Sequence, residues 1–135
     1  MSKITNSHQL YVRYAETDQM GVVYHSNYLI YFETGRNELM RKHSLSLTKF
    51  EKEDNVFFPL IDCYTKYFIS ARYDDQLAVE TSLSYSGGVI FLFEYIIFRD
   101  GDKICEGYTR HCFISQVTRK PVRPSVDLVV ALRLV

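Results

Sequence analysis

The sequence predicts an α+β domain in which one long helix packs on an antiparallel sheet. Apolar residues first recur at helical spacing, from Asn27 onward, and then give way to four long runs of β-branched and aromatic residues. Gly87-Gly88 and Asp100-Gly101 separate the later runs and are strong hairpin signals. An apolar helix and an antiparallel sheet must bury their faces against each other. With 135 residues, the chain fits a single domain, residues 1–135.

Composition excludes several classes of protein. Apolar residues make up 47% of the chain and aromatic residues 15%, so the chain can bury a core and disorder is not expected. Basic and acidic residues both number 16, and this balance argues against a nucleic-acid partner, since such binding depends on excess positive charge. The four histidines are scattered along the sequence, so no metal site is predicted.

The cysteines and the N-terminus indicate a cytoplasmic protein. Cys63, Cys105 and Cys112 are odd in number and form no CxxC pair. Cys105 and Cys112, seven apart in one predicted strand, should point to opposite faces and stay reduced. Residues 1–8 lack the apolar core of a signal peptide. The longest apolar stretch, residues 89–98, is too short to span a bilayer, so no membrane insertion is expected.

The N-terminal half alternates between a strand, a loop and a helix. Residues 8–14 alternate as a short strand, with Leu10, Val12 and Tyr14 on one face. Residues 16–26 are irregular and predict a loop. A helix of about 15 residues should then begin near Asn27, with Ser26 or Asn27 as its N-cap. Its apolar stripe consists of Tyr28, Tyr31, Phe32, Gly35, Leu39 and Met40.

Gly35 lies within that stripe and costs helix stability there. We therefore expect it to permit close approach to the surface on which the helix packs. A second, shorter helix is predicted over residues 46–53.

The remainder of the chain predicts β-structure. Strands are expected over residues 59–71, 77–86, 89–99 and 103–117, with the last three forming an antiparallel meander. The strand over 89–98 is apolar on nearly both faces, and one helix covers only one of them. A second subunit is the expected cover. The tail from Ser125 is compatible with either a helix or a strand.

Polar groups gather in the loop that leads into the long helix. Unpaired N–H groups at a helix start can polarise a carbonyl, and a nearby carboxylate such as Asp18 can act as base or nucleophile. A thioester needs only these two elements, because its thiolate is a good leaving group. Each residue also has a plain structural interpretation: Asp18 as a turn residue, His25 as a cap, Gly21 as a position of positive φ, and Glu33 as a solvated side chain.

The loop and the helix after it resemble a known family. The stretch Y-A-E-T-D-Q-M-G-V-V-Y-H-S-N-Y, followed by Y-F-E-T-G-R, is similar to the 4-hydroxybenzoyl-CoA thioesterase-like family, and within it to the YbgC-like acyl-CoA thioesterase branch. The similarity continues through Phe58-Pro59-Leu60, Tyr73-Asp74-Asp75 and Thr118-Arg119-Lys120-Pro121, and so covers nearly the whole chain.

The resemblance implies a hotdog fold, a five-stranded antiparallel sheet wrapped around a long central helix. It also implies a homodimer or homotetramer with active sites at the dimer interface, and hydrolysis of an acyl-CoA thioester without a cofactor. Asp18 matches the catalytic carboxylate, and Tyr14 and His25 match residues that assist it. The amides around Val22 to His25 match the region that polarises the carbonyl. The implied substrate-binding residues are Gly21, Val22, Val23 and Tyr24, together with Arg119 and Lys120, which would contact the CoA phosphates.

Other functions remain open at this point. A hotdog enoyl-thioester hydratase would carry a G-D-x-N-P-x-H pattern, whereas here no Asn-Pro lies between Asp18 and His25. A serine hydrolase would need G-x-S-x-G, which the sequence lacks. A non-catalytic module that binds acyl thioesters is the alternative from a different class. The sequence does not distinguish CoA from acyl carrier protein as the carrier, or one acyl group from another.

Overall fold

The computed structural model describes residues 3–132. Its elements are β1 (Lys3–Tyr11), a 3-10 turn (Tyr14–Glu16), α1 (Asn27–Lys42), α2 (Leu47–Glu53), β2 (Val56–Phe57), β3 (Leu60–Tyr67), β4 (Gln76–Tyr85), β5 (Ile90–Arg99), β6 (Asp102–Ser115), β7 (Pro121–Val122) and α3 (Val126–Ala131).

Five long strands form one antiparallel sheet in the order β1-β4-β5-β6-β3. The two-residue strands β2 and β7 pair with the C-terminal end of β6. Helix α1 packs against β4, β1 and β5 on one face of the sheet. The predicted α+β hotdog architecture is confirmed.

The buried face of α1 matches the predicted stripe. All six residues of that stripe are buried, and Phe32 stacks on Tyr95 of β5 with ring centroids 4.3 Å apart. At Gly35 the helix backbone approaches β4 closely: a Cβ there would lie 2.5 Å from Thr81 Oγ1 and 2.7 Å from Val79 Cγ1. Only glycine fits at this crossing, which is why a residue of low helix propensity occupies the middle of α1.

The strands β4, β5 and β6 form the predicted meander. Gly87 has a φ of +100°, and Asp100 and Gly101 have φ values of 51° and +83° at the tight connection between β5 and β6. Positive φ angles of this kind match the right-handed twist of the strands that flank a short turn, which explains the Gly-Gly and Asp-Gly pairs.

The first strand differs from its prediction over residues 8–14. It begins at Lys3 and ends at Tyr11, and Tyr14 lies in the 3-10 turn with 77% of its surface exposed. At the edge of the sheet, pairing with β4 stabilises polar residues that show little hydrophobic pattern. The strand ends just before the 3-10 turn, which is closed by hydrogen bonds from Arg13 to the Glu16 carboxylate.

The helix caps are also partly different from expectation. Ser26 occupies the N-cap position of α1, but its side chain accepts no capping hydrogen bond. The Asn27 side chain instead donates to the Glu16 carbonyl, at 2.9 Å. Ser46 caps α2 and Ser125 caps α3, so the tail from Ser125 is helical up to Ala131. Residues 133–135 of that tail lie outside the described part of the chain.

The cysteines are free thiols, with Cys63 exposed and Cys105 and Cys112 buried. Cys105 pairs with the buried Ile97, whereas Cys112 pairs with Ile90 on the opposite face of the sheet, as their spacing predicts. Across residues 3–132, no helix is long and apolar enough to cross a membrane.

Candidate active site

Asp18 lies at the tip of a short hairpin between β1 and α1. The Asp18 N–H donates to the Val22 carbonyl at 2.9 Å, and the Gly21 N–H donates back to the Asp18 carbonyl at 2.9 Å. Gly21 closes this turn with a φ of +79°, a conformation that favours glycine. The hairpin continues with Thr17 opposite Val23. The irregular composition of residues 16–26 thus encodes a tight, ordered turn.

The Asp18 carboxylate is half-buried and only partly engaged. Its Oδ1 accepts the Met20 N–H at 2.8 Å and the Val22 N–H at 3.4 Å. Its Oδ2 accepts no hydrogen bond from residues 3–132. The turn therefore orients the carboxylate through one oxygen and leaves the other available to a ligand or to water.

Val23 anchors the hairpin to the rest of the fold. Its side chain is 4% exposed, and its N–H donates to the Ala71 carbonyl at 2.8 Å. Val22 forms an isolated bridge with Arg72 in the same connection between β3 and β4. The loop that carries Asp18 is therefore held by the core, as a reacting group needs to be.

The turn just before α1 presents two N–H groups that have no acceptor within residues 3–132. The Asn27, Tyr28 and Leu29 N–H groups donate to the carbonyls of Tyr24, His25 and Ser26. Within the described chain, the N–H groups of His25 and Ser26 donate to nothing. They lie at the positive end of a 16-residue helix, where a carbonyl oxygen that gains negative charge is stabilised.

The four predicted substrate-binding residues before His25 already use their N–H groups in hydrogen bonds within the protein. Gly21 and Val22 donate to Asp18, Val23 donates to Ala71, and Tyr24 donates to the Glu16 carbonyl. If these residues contact a substrate, they must do so by lining the site. The N–H groups free to polarise a carbonyl are the next two along the chain.

His25 and Tyr14 are both exposed on the segment between β1 and α1 that carries Asp18, and neither is hydrogen-bonded to Asp18 in the described structure. The His25 ring packs against Tyr24 with centroids 4.3 Å apart, and the His25 carbonyl accepts the Tyr67 hydroxyl at 3.2 Å. The Tyr14 ring packs edge-on against Tyr73 at 5.5 Å. Their predicted assisting roles stay predictions.

Arg119 and Lys120 lie at the other end of the sheet in the same chain. They follow the C-terminus of β6, and the Arg119 guanidinium lies 5.3 Å from the centre of the Phe57 ring. Tyr67, which contacts the site, pairs with Cys105 near the N-terminus of β6. The ten residue-to-residue steps from Cys105 to Ser115 separate the two regions by about 33 Å of strand.

Sequence reasoning missed Glu16 and Tyr31 as parts of this site. Glu16 is 6% exposed and its carboxylate accepts the Tyr31 hydroxyl at 3.0 Å. Tyr31 belongs to the apolar stripe and was therefore predicted only as a core residue. The one available signal was the Glu-Thr-Asp order, which places a second carboxylate two residues before Asp18.

No group of three or more His, Cys, Asp or Glu residues comes together within residues 3–132 in a way that could hold a metal ion. The chemistry available to the described residues is that of a carboxylate, free backbone N–H groups and tyrosine hydroxyls.

Comparisons with known proteins agree on one family. Residues 12–132 match the Thioesterase-like superfamily. The acyl-CoA thioesterase YbgC of Haemophilus influenzae is 32% identical over 111 residues, covering 82% of this chain and 82% of that protein. A Bacillus subtilis protein named putative acyl-CoA thioesterase YneP is 31% identical, covering 85% of this chain and 83% of its own length.

A comparison with a solved structure agrees with this family assignment. The DHNA-CoA thioesterase of Staphylococcus aureus superimposes with a TM-score of 0.87 and 30% sequence identity, covering 94% of this chain and 87% of that chain.

Proposed function

Since the chain belongs to the Thioesterase-like superfamily, we propose that it hydrolyses acyl-CoA thioesters to a free acid and CoA, with Asp18 as the catalytic carboxylate. The observation that carries this proposal is that one hairpin presents both a carboxylate oxygen and N–H groups that a substrate could use. One end holds the free Oδ2 of Asp18, and the other leads into the unengaged N–H groups of His25 and Ser26.

The spacing of these groups suits a thioester carbonyl. Asp18 pairs with Val22, and His25 follows three residues later in the turn before α1, at most roughly 10 Å of backbone away. A carbonyl group that contacts the aspartate side chain on one side and an N–H group on the other, at about 3 Å each, would bridge a similar distance. The carbonyl oxygen would accept the His25 and Ser26 N–H groups while its carbon faces the carboxylate.

Two routes then lead to the same products. Asp18 can deprotonate a water that adds to the carbonyl carbon, or it can attack that carbon itself and form an anhydride that water later cleaves. In both routes the C–S bond breaks, the acyl group gains the oxygen of water, and the thiolate leaves and takes up a proton. We assign Tyr14 and His25 to shaping the site, with Gly21, Val22, Val23 and Tyr24 lining it.

A homodimer would complete the site. Strand β3 is an edge strand that pairs with β6 and, in the described chain, with no other strand. Six apolar residues on and just after it are 43–48% exposed: Leu60, Ile61, Tyr64, Tyr67, Phe68 and Ile69. An exposed apolar edge of this length favours pairing with a second copy. We propose that two β3 strands pair across a two-fold axis.

That pairing would explain the distance between Arg119 and Asp18 within one chain. A two-fold axis pairs identical strands antiparallel, so the far end of the partner's sheet comes next to this chain's Asp18 hairpin. Arg119 and Lys120 would then bind the phosphates of a CoA molecule whose thioester lies in the other subunit.

A homotetramer would use the outer face of the sheet. On β5, Ile90 and Ile96 are 38% and 36% exposed on the side away from α1, and Leu92 lies between them, half-buried. We propose that two dimers meet through this face, and that the protein works in the cytoplasm, where its three free thiols would remain reduced.

The test of this function is thiol release from a panel of aliphatic and aromatic acyl-CoAs, with the matching acyl carrier protein thioesters run in parallel. Release above the uncatalysed rate, abolished in Asp18→Asn, is the expected result. Acyl-CoA binding without hydrolysis would instead identify a non-catalytic binding module.

A further inference from the structure

Glu16 is a buried carboxylate with three donors and no part in the proposed chemistry. Its Oε1 accepts the Arg13 N–H at 2.8 Å and the Tyr31 hydroxyl at 3.0 Å, and its Oε2 accepts the Arg13 Nε at 3.1 Å. Each donor matches part of the charge of this buried carboxylate, and the loss of one leaves an acceptor lone pair unsatisfied, so the cluster favours a single geometry.

The Tyr31 hydroxyl remains a donor across the working pH range. Burial, together with the neighbouring Glu16 carboxylate, raises the pKa of Tyr31 far above its ordinary value. Tyr31 lies one turn inside α1 and is 2% exposed. The Glu16 carboxylate is therefore tied to the body of the helix.

The Glu16 backbone carbonyl holds the residues on both sides of the free N–H groups. It accepts the Tyr24 N–H at 2.9 Å and the Asn27 Nδ2 at 2.9 Å. His25 and Ser26, whose N–H groups are unengaged in the described chain, lie between these two contacts. Glu16 thus holds the chain immediately before and immediately after the two N–H groups that would polarise the substrate carbonyl.

We propose that Glu16 is a positioning residue for the reaction: with Tyr31 it sets the distance between the Asp18 carboxylate and the N–H groups of His25 and Ser26. The inference rests on the proposed thioesterase function. Glu16 lies two residues before Asp18 and bonds to α1 through both its side chain and its carbonyl. A shift at Glu16 therefore moves the carboxylate relative to the helix.

The first test is Tyr31→Phe, which removes one hydroxyl and keeps the ring in the core. Tyr95→Phe is the matched control, because the Tyr95 hydroxyl is also buried but bonds Thr109 at 2.6 Å and Arg36 at 3.0 Å, away from the hairpin. We expect Tyr31→Phe to lower kcat about tenfold with KM changed less than twofold, since small misplacements cost rate rather than uniform binding. Tyr95→Phe should keep kcat.

Glu16→Gln keeps the shape of the side chain and removes its charge. We expect a larger fall in kcat, up to about 100-fold, again with KM nearly unchanged. Equal losses of kcat in Tyr31→Phe and Tyr95→Phe would overturn the proposal, and so would a rise in KM with kcat retained.

Hydrogen–deuterium exchange of residues 14–26 separates this inference from the function itself. Exchange there should accelerate in Tyr31→Phe and Glu16→Gln and stay at the wild-type rate in Tyr95→Phe. An inactive wild-type protein would refute the thioesterase proposal and leave this readout intact. Unchanged exchange in both variants would refute the positioning role whatever the activity.

Discussion

At the scale of single residues, His111 is a buried titratable group outside the proposed chemistry. It is 3% exposed, stacks on Phe58 with centroids 5.0 Å apart, and shares a hydrogen bond of 3.0 Å with Thr109. Burial, together with the positive charge of Arg36, lowers the pKa of His111 to about 4. The folded protein therefore holds a neutral imidazole where the unfolded chain would bind a proton.

This difference in proton binding between the folded and unfolded states predicts that the folded protein loses stability at acidic pH. The unfolded pKa is about 6.5, so between pH 6.5 and pH 4 the unfolded state binds more protons and the free energy of unfolding falls with falling pH. The slope should approach 1.4 kcal/mol per pH unit, about one proton. Denaturant titrations of His111→Asn should lose this slope, whereas the less buried His8→Asn should keep it. An unchanged slope in His111→Asn would contradict the assignment.

The residues of the site were predictable only in part. Asp18 and Gly21 stand out through the family resemblance of residues 14–28, because on their own a loop aspartate and a loop glycine fit a turn equally well. Glu16, Tyr31 and Asn27 do not stand out in the sequence. Their importance comes from hydrogen bonds between residues 11 and 15 positions apart, which residue spacing alone does not reveal. The resemblance pointed to the N–H groups of residues 22–25, and of these only the His25 N–H, next to that of Ser26, lacks an acceptor within residues 3–132.

At the scale of elements, the contact between α1 and β4 depends on Gly35. An added Cβ would lie 2.5 Å from Thr81 Oγ1, much closer than atoms normally approach, so the helix or the stiff β-branched side chains of Thr81 and Val79 on β4 would have to shift. The gain in helix propensity from alanine, about 1 kcal/mol, is smaller than the cost of separating the two elements.

Gly35→Ala should therefore destabilise the protein, by about 1–3 kcal/mol in chemical denaturation. The matched control is Gly88→Ala, where an added Cβ meets nothing within 4 Å. Unfolding free energies of Gly35→Ala equal to or above wild type would show that the helix can shift away from the sheet without loss.

The elements themselves followed from local pattern wherever that pattern was strong. Both longer helices and the meander were predicted within a few residues, because helical periodicity and hairpin glycines are local signals. The pairing of β3 with β6 was not predictable. The two strands lie about 40 residues apart in the chain, and their side chains are of the same types as those of the other strands, so no local pattern identifies the partner. Strand β1 was misplaced because an edge strand with few apolar residues carries little pattern.

At the scale of the whole molecule, the proposed site would be complete only in a dimer. Asp18 and the two basic residues lie at opposite ends of the sheet, so a CoA thioester that contacts all three must bridge two subunits. Changing both Arg119 and Lys120 to Ala should raise KM and leave kcat nearly unchanged, because uniform binding is lost.

Mixed dimers test this arrangement. A dimer of one Asp18→Asn chain and one Arg119→Ala/Lys120→Ala chain contains one intact site, formed by the unchanged residues of each. We expect such a dimer, purified with two different tags, to show about half the wild-type kcat at the wild-type KM. A KM equal to that of the double-alanine homodimer would mean that Arg119 and Lys120 serve Asp18 of their own chain, and a monomer with full activity would refute sharing altogether.

The central claim is that the Asp18 carboxylate performs the chemistry, and the most direct measurement is the steady-state rate of Asp18→Asn. Asparagine keeps an oxygen that can accept the Met20 N–H, so the turn and the melting temperature should be preserved while basicity and nucleophilicity are lost. We expect kcat to fall roughly 10²- to 10⁴-fold with KM little changed, and Asp74→Asn, at an exposed loop aspartate with a φ of 66°, to behave as wild type. An Asp18→Asn protein that keeps more than about a third of the wild-type kcat would contradict the account and make Glu33, exposed on α1, the next carboxylate to test.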